Sequence, residues 1–103
     1  MIDAKSRPRL AAKARLRYDR QVDRYLLLYP ERGLALNGTA VDVVRLCTGE
    51  LTVTGIVEQL IEKYTDQPRE VMEREVLTFL ATLFDRGLVH AESQRNGPGS
   101  VGG

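Results

Sequence analysis

One hundred and three residues, 28% of them charged and 43% hydrophobic, supply one small domain and exclude a two-domain enzyme with a deep interdomain cleft. The longest uninterrupted apolar run, Tyr25-Leu26-Leu27-Leu28-Tyr29, falls far short of the roughly 20 residues of a membrane span, and Met1 to Pro8 has no signal-peptide core, so a cytoplasmic chain without a membrane partner is expected. The net charge of +1 hides a split: residues 1–32 hold nine Lys or Arg against four Asp or Glu, and residues 33–103 hold six against ten, which speaks to partners or self-association rather than to fold.

Residues 1–12 are polar, carry Pro8 and show no period; they read as a flexible basic arm. From Lys13 the chain alternates. Lys13, Arg15 and Arg17 share one side, and Ala14, Leu16 and Tyr18 the other, as in a half-buried strand. Asp19 to Asp23 has turn chemistry. Arg24 to Tyr29 reads as a second strand, apolar on both faces and therefore central. Pro30-Glu31-Arg32-Gly33 is a tight turn, because proline presets φ and glycine tolerates the left-handed region. Leu34-Ala35-Leu36 makes a short third strand.

Helical period begins after Asn37-Gly38-Thr39, where Asn37 or Thr39 can cap the first turn. Ala40, Val43, Val44 and Cys47 fall on one stripe, and Gly49 stands where a left-handed stop belongs. The second helix, capped by Thr52 or Thr54, shows Ile56, Val57, Leu60, Ile61 and Tyr64 on its apolar face. The third and longest runs from Pro68 to Arg86 and is closed by Gly87. Its core stripe is Met72, Val76, Phe79, Leu80 and Leu83, broadened by Val71, Leu77 and Phe84. Leu88 to Glu92 reads as a short strand or extended wing. The domain therefore spans residues 13–92, and residues 93–103 form a tail too polar to fold, expected to be disordered. Strands followed by helices predict an α+β class: a short three-stranded antiparallel sheet, then three helices, in a winged-helix-like layout.

The residues offer little catalytic chemistry. No nucleophile elbow, phosphate-binding glycine loop, His pair or Cys pair occurs, so no enzyme activity is expected. Cys47 has no partner for a disulfide and reads as a small core residue. His90 is the single histidine and cannot assemble a metal cage of the usual kinds, so no metal or other cofactor is expected. Carboxylates on the third helix alternate with arginines, as on a solvated face.

Two binding readings remain. A winged-helix layout raises a DNA-binding regulator as the alternative. Against it, the third helix sets Arg69, Arg74 and Arg86 against Glu70, Glu73, Glu75 and Asp85, a balance that repels phosphates, so no nucleic-acid partner is expected. The third strand is more suggestive. It is short, leads straight into a helix and leaves an edge on which an extended peptide can add a strand. The same edge, with the doubly apolar second strand and the charge split, permits a homodimer, including one that exchanges strands.

Several segments occur together in a telling order: Arg7-Pro8-Arg9-Leu10, Leu26-Leu27-Leu28-Tyr29-Pro30-Glu31, Leu34-Ala35-Leu36-Asn37-Gly38-Thr39-Ala40, Leu46-Cys47-Thr48-Gly49, Ile56-Val57-Glu58-Gln59-Leu60 and Phe79-Leu80-Ala81-Thr82-Leu83. With these the chain resembles the PqqD family of pyrroloquinoline quinone biosynthesis, from about Arg7 to Glu92. Thr48 departs from the aspartate often found before that glycine. The resemblance implies a peptide chaperone that binds the ribosomally made precursor peptide PqqA and presents it to PqqE, a radical S-adenosylmethionine enzyme that crosslinks a Glu to a Tyr. It also implies a site, with the peptide along Leu34, Ala35, Leu36 and Asn37 and against Arg74, Leu77, Thr78 and Ala81 of the third helix. On this reading Leu77 lines an apolar floor and Arg74 meets a peptide carboxylate, while cluster and radical chemistry belong to the partner enzyme.

Overall fold

Among the described residues four strands come first along the chain, three helices follow as the hydrophobic period changes from two to nearly four, and a fifth strand ends the fold. The computed structural model describes residues 2–30 and 32–92. The elements are β1 (Arg7–Leu10), β2 (Arg15–Asp19), β3 (Arg24–Tyr29), β4 (Arg32–Leu36), α1 (Gly38–Arg45), α2 (Val53–Lys63), α3 (Arg69–Asp85) and β5 (Val89–Glu92). The protein is an α+β, winged-helix-like domain with an antiparallel sheet of order β2-β3-β4 and a separate ribbon of β1 with β5. Residues 93–103, expected to be a disordered tail, and Glu31, expected within the tight turn, lie outside the described residues.

The three-stranded sheet follows the alternation. Leu16, Tyr25, Leu27, Tyr29, Leu34 and Leu36 belong to the core or pack against it, while the arginines of β2 stay exposed. β3 is central, paired with β2 from Arg15↔Leu28 to Asp19↔Arg24 and with β4 from Tyr25↔Leu36 to Tyr29↔Arg32. Between β2 and β3 the chain reverses with Asp23 at φ 56°, a left-handed position that short polar side chains tolerate, and its carboxylate accepts from the Tyr18 hydroxyl.

Caps select the helix starts. The Asn37 side chain accepts from the Ala40 amide at 2.8 Å, and Thr52 from the Gly55 amide at 3.1 Å. Gly87 follows α3 at φ 73°, where a residue with a Cβ is strained. The largest fully buried side chains, Leu27, Ile56, Leu60, Met72, Leu80, Leu83 and Leu88, draw the sheet, α2, α3 and the entry to β5 into one core. With no tryptophan to fill space, the core is chiefly Leu and Val.

The arm expected over residues 1–12 contains β1, and this is a correction. β1 pairs antiparallel with β5, from Arg7↔Glu92 to Leu10↔Val89. The segment is tied further by Leu10 N donating to Cys47 O (2.9 Å), Ala11 N to Leu88 O (2.8 Å), Gly49 N to Pro8 O (2.9 Å) and Val53 N to Ser6 O (2.9 Å). Ser6 and Ala11 are buried. Each of these bonds joins residues far apart in sequence, so four strand residues interrupted by a proline carry no local period to read.

The tie is measurable. Hydrogen exchange is expected to protect the Leu10 and Ala11 amides nearly as well as those in the middle of α3. Exchange of both within the dead time would restore the loose arm.

Candidate functional site: a strand edge facing a helix

Among the described residues only β3 lies beside β4 in the sheet, so the far side of β4 is an edge. The Tyr29↔Arg32 pair closes a two-residue hairpin, and such a closing pair is hydrogen bonded. Antiparallel alternation then assigns the Leu27↔Leu34 and Tyr25↔Leu36 pairs to the bonded set. Gly33 and Ala35 are left with their amides and carbonyls directed away from β3. The side chains obey the same period: Leu36 is buried, Leu34 half-buried, and Gly33 and Ala35 exposed.

The edge faces α3. Met72, Val76, Leu80 and Leu83 of that helix are buried at 0–1% exposure. The neighbouring stripe looks toward β4 across a groove of about 580 Å³. Leu34, Ala35, Leu36 and Asn37 line it from the strand side, with Thr39, Ala40 and Val43 at the start of α1; Arg74, Glu75, Val76, Thr78, Phe79 and Thr82 line it from α3. Phe79, Val43, Val76 and Leu34 give it an apolar interior, and the exposed Arg74 and Glu75 set opposite charges on its rim. Such an arrangement can accept an extended chain: the edge supplies main-chain donors and acceptors, and the interior takes alternate side chains.

Six of the eight residues expected at a peptide site are thus brought together: Leu34, Ala35, Leu36, Asn37, Arg74 and Thr78. Leu77 and Ala81 are not among the groove residues; Leu77 is half-buried against the core instead. The correction is one of helix phase. Each residue turns the helix by about 100°, so the stripe 74, 77, 78 and 81 is rotated roughly a quarter turn from the observed 74, 75, 78, 79 and 82. The apolar wall expected of Leu77 is supplied by Phe79, assigned from the sequence to the core stripe. The available signal was the surplus of apolar residues on α3, more than one core stripe holds.

Several polar groups elsewhere are engaged in the fold. The Cys47 thiol is buried, donates to Val43 O at 3.2 Å, and is pushed by burial up to about 12, which makes it inert at neutral pH. His90 is exposed on β5, opposite Arg9. Asp42 of α1 accepts from the Tyr64 hydroxyl at 2.6 Å and pairs with Lys63 at 2.9 Å, joining α1 to the end of α2. Burial pulls its carboxyl upward, but the Tyr64 and Lys63 bonds together outweigh this and hold it below the ordinary value. Arg69, at the start of α3, is engaged by Glu58 of α2 at 2.5 Å.

Comparison with known proteins bears on the whole domain. Residues 24–89 match the family described as Coenzyme PQQ synthesis protein D (PqqD). A PqqA binding protein of Rhodopseudomonas palustris is 36% identical over 97 residues, covering 94% of this chain and 93% of that protein. Another, of Bradyrhizobium diazoefficiens, is 39% identical over 88 residues, 85% and 84% of the two chains. The solution NMR structure of the PqqD truncation of Methylobacterium extorquens PqqCD is described as a functional, stand-alone recognition element for ribosomally synthesized and post-translationally modified peptides. It superposes with a TM-score of 0.74 at 32% identity, covering 87% of this chain and 95% of that one. The crystal structure of PqqD from Xanthomonas campestris gives a TM-score of 0.52 at 31% identity, covering 85% and 97%.

The Asp42 linkage predicts a pH dependence. A carboxyl held low in the folded chain stabilises fully above its unfolded value of 3.8, and that share is lost as pH falls through the lower folded value. Asp42→Asn is expected to cost about 1–2 kcal/mol at pH 7 and to flatten stability between pH 5 and pH 2, measured by urea denaturation. An unchanged acid slope would refute the assignment.

Proposed function

The chain belongs to the PqqD family, and from that premise we propose that it binds the precursor peptide PqqA as an added strand on β4 and presents it to the radical S-adenosylmethionine enzyme PqqE. The single observation that carries this reading is the unpaired outer edge of β4 beside the groove lined by Phe79. Relatives named for PqqA binding and a structural neighbour described as a peptide recognition element support it.

Magnitudes decide how the affinity is divided. Gly33 and Ala35 offer four main-chain groups between them, and each ladder bond nets roughly 1 kcal/mol, or about 4 kcal/mol in all. Micromolar binding needs about 8 kcal/mol, before the cost of ordering a free peptide. Apolar side chains entering the groove must therefore supply at least as much as the backbone, at about 1.5–3 kcal/mol for each large one buried. Arg74 orients the peptide by pairing with a carboxylate, worth little on an exposed rim but sensitive to register. On this reading the protein is a carrier, and bond formation between Glu and Tyr belongs to the enzyme that receives the peptide. Holding the peptide extended also pays part of its ordering cost before the enzyme meets it.

Titration of the labelled chain with precursor peptide should move the amides of β4 and α3 first; shifts confined to residues 2–12 and β2 would refute the groove. Ala35→Pro removes one outward amide at a position where an edge strand tolerates proline, so peptide affinity should fall about fivefold with little change in melting temperature. Phe79→Ala should weaken binding by about tenfold or more through lost burial. Calorimetry that finds full affinity in both variants would contradict strand addition.

A further inference from the structure

The sheet has a second face, which the groove touches only at its margin through Ala35. Strand alternation places Arg15 and Arg17 of β2, Arg24, Leu26 and Leu28 of β3, and Ala35 of β4 on the side away from the core. Every other leucine of the chain is in the core or packed against it; Leu26 and Leu28 are not. Leu28 reaches toward its cross-strand neighbour, its Cδ2 placed 3.2 Å from where a side chain on Gly33 would begin. Arg15 and Arg17 are exposed, and among the described residues no carboxylate stands within ion-pair distance of either, or of Arg24. Among the described residues the one acid on this face, Asp19, sits directly opposite Arg24 and accepts from the Gln21 amide.

A small apolar centre rimmed by unpaired arginines has the anatomy of a protein-docking surface. The charge names the partner's chemistry, since guanidinium groups match carboxylates in fork geometry. We propose that this outer face docks an acidic protein surface with an apolar centre, carried by the enzyme that receives the peptide. The proposal rests on the strand-addition reading and deepens it. An added strand continues the sheet one spacing beyond β4, roughly 4.8 Å, and turns alternate side chains onto this same face. A protein seated on Leu26 and Leu28 therefore touches carrier and cargo together. Nucleic acid is the less fitting occupant, because phosphates need the arginines but leave the leucines uncovered.

The test uses the full chain, the precursor peptide and the radical enzyme, with two variants, Arg15→Glu/Arg17→Glu and Leu28→Ser. Peptide affinity should stay within twofold of wild type in both, which also reports that they are folded. Enzyme affinity should fall at least tenfold in the double variant and at least fivefold in Leu28→Ser, and for wild type it should weaken with added salt. Enzyme affinity within twofold of wild type in both variants overturns the proposal, as does an absence of wild-type association. Tight wild-type binding to a duplex DNA that the double variant abolishes, or a change in self-association in place of enzyme binding, overturns it too. A wild-type chain that binds no precursor but loses the enzyme in the variants refutes strand addition and upholds the docking face.

Discussion

Among the described residues Gly33 and Ala35 have sheet partners on one side only, and the rest of the candidate site depends on that asymmetry. A bare edge is ordinarily a hazard, since it templates any extended chain. Here it is confined. β4 has five residues, begins just after Pro30, and ends at Leu36, where Asn37 caps α1 without an intervening loop. The register of the edge is therefore pinned at one end by a hairpin and at the other by a helix start. α3 stands opposite with Phe79 and Thr82 between it and the strand, close enough to form a wall and far enough to leave a groove.

α3 serves two surfaces with one sequence. Its buried stripe, Met72, Val76, Leu80 and Leu83, closes the core, and the adjoining stripe of Arg74, Thr78, Phe79 and Thr82 faces β4. The position of the groove wall is consequently set by core packing, where a displaced methylene is felt at once. The ribbon of β1 with β5 continues this support, because β5 follows α3 directly and its neighbour Leu88 is fully buried. A binding surface built on such elements is held in place before any partner arrives, which lowers the cost of forming a complex.

Much of this was legible in the residues. Alternation in β2, the doubly apolar run of β3, the helical stripes, and the stops at Gly49 and Gly87 are local signals, and each element they mark is present. Pro68 stands at the N-cap of α3, one position before the first helical residue expected of it. β1 escaped because its evidence is nonlocal: its partners are Cys47, Leu88 and β5, not neighbours in sequence. The strand half of the candidate groove was legible because a short third strand that leads straight into a helix leaves an edge, and the family resemblance implied the same four residues. The helix half was out of phase because Phe79 and Leu77 are equally apolar, and only packing shows which of them turns toward β4. The outer face was legible in part. An apolar β3 correctly marks a central strand, yet a central strand has two faces and only one is covered by the core.

On the proposed reading a peptide becomes the fourth strand of the sheet. Intermolecular nuclear Overhauser contacts between labelled chain and unlabelled precursor peptide test it most directly. The account predicts an unbroken ladder of cross-strand contacts from the backbone of Gly33 and Ala35 to alternate peptide residues, joined by contacts from the Phe79 ring. Contacts that reach only side chains, with no ladder along β4, would contradict it.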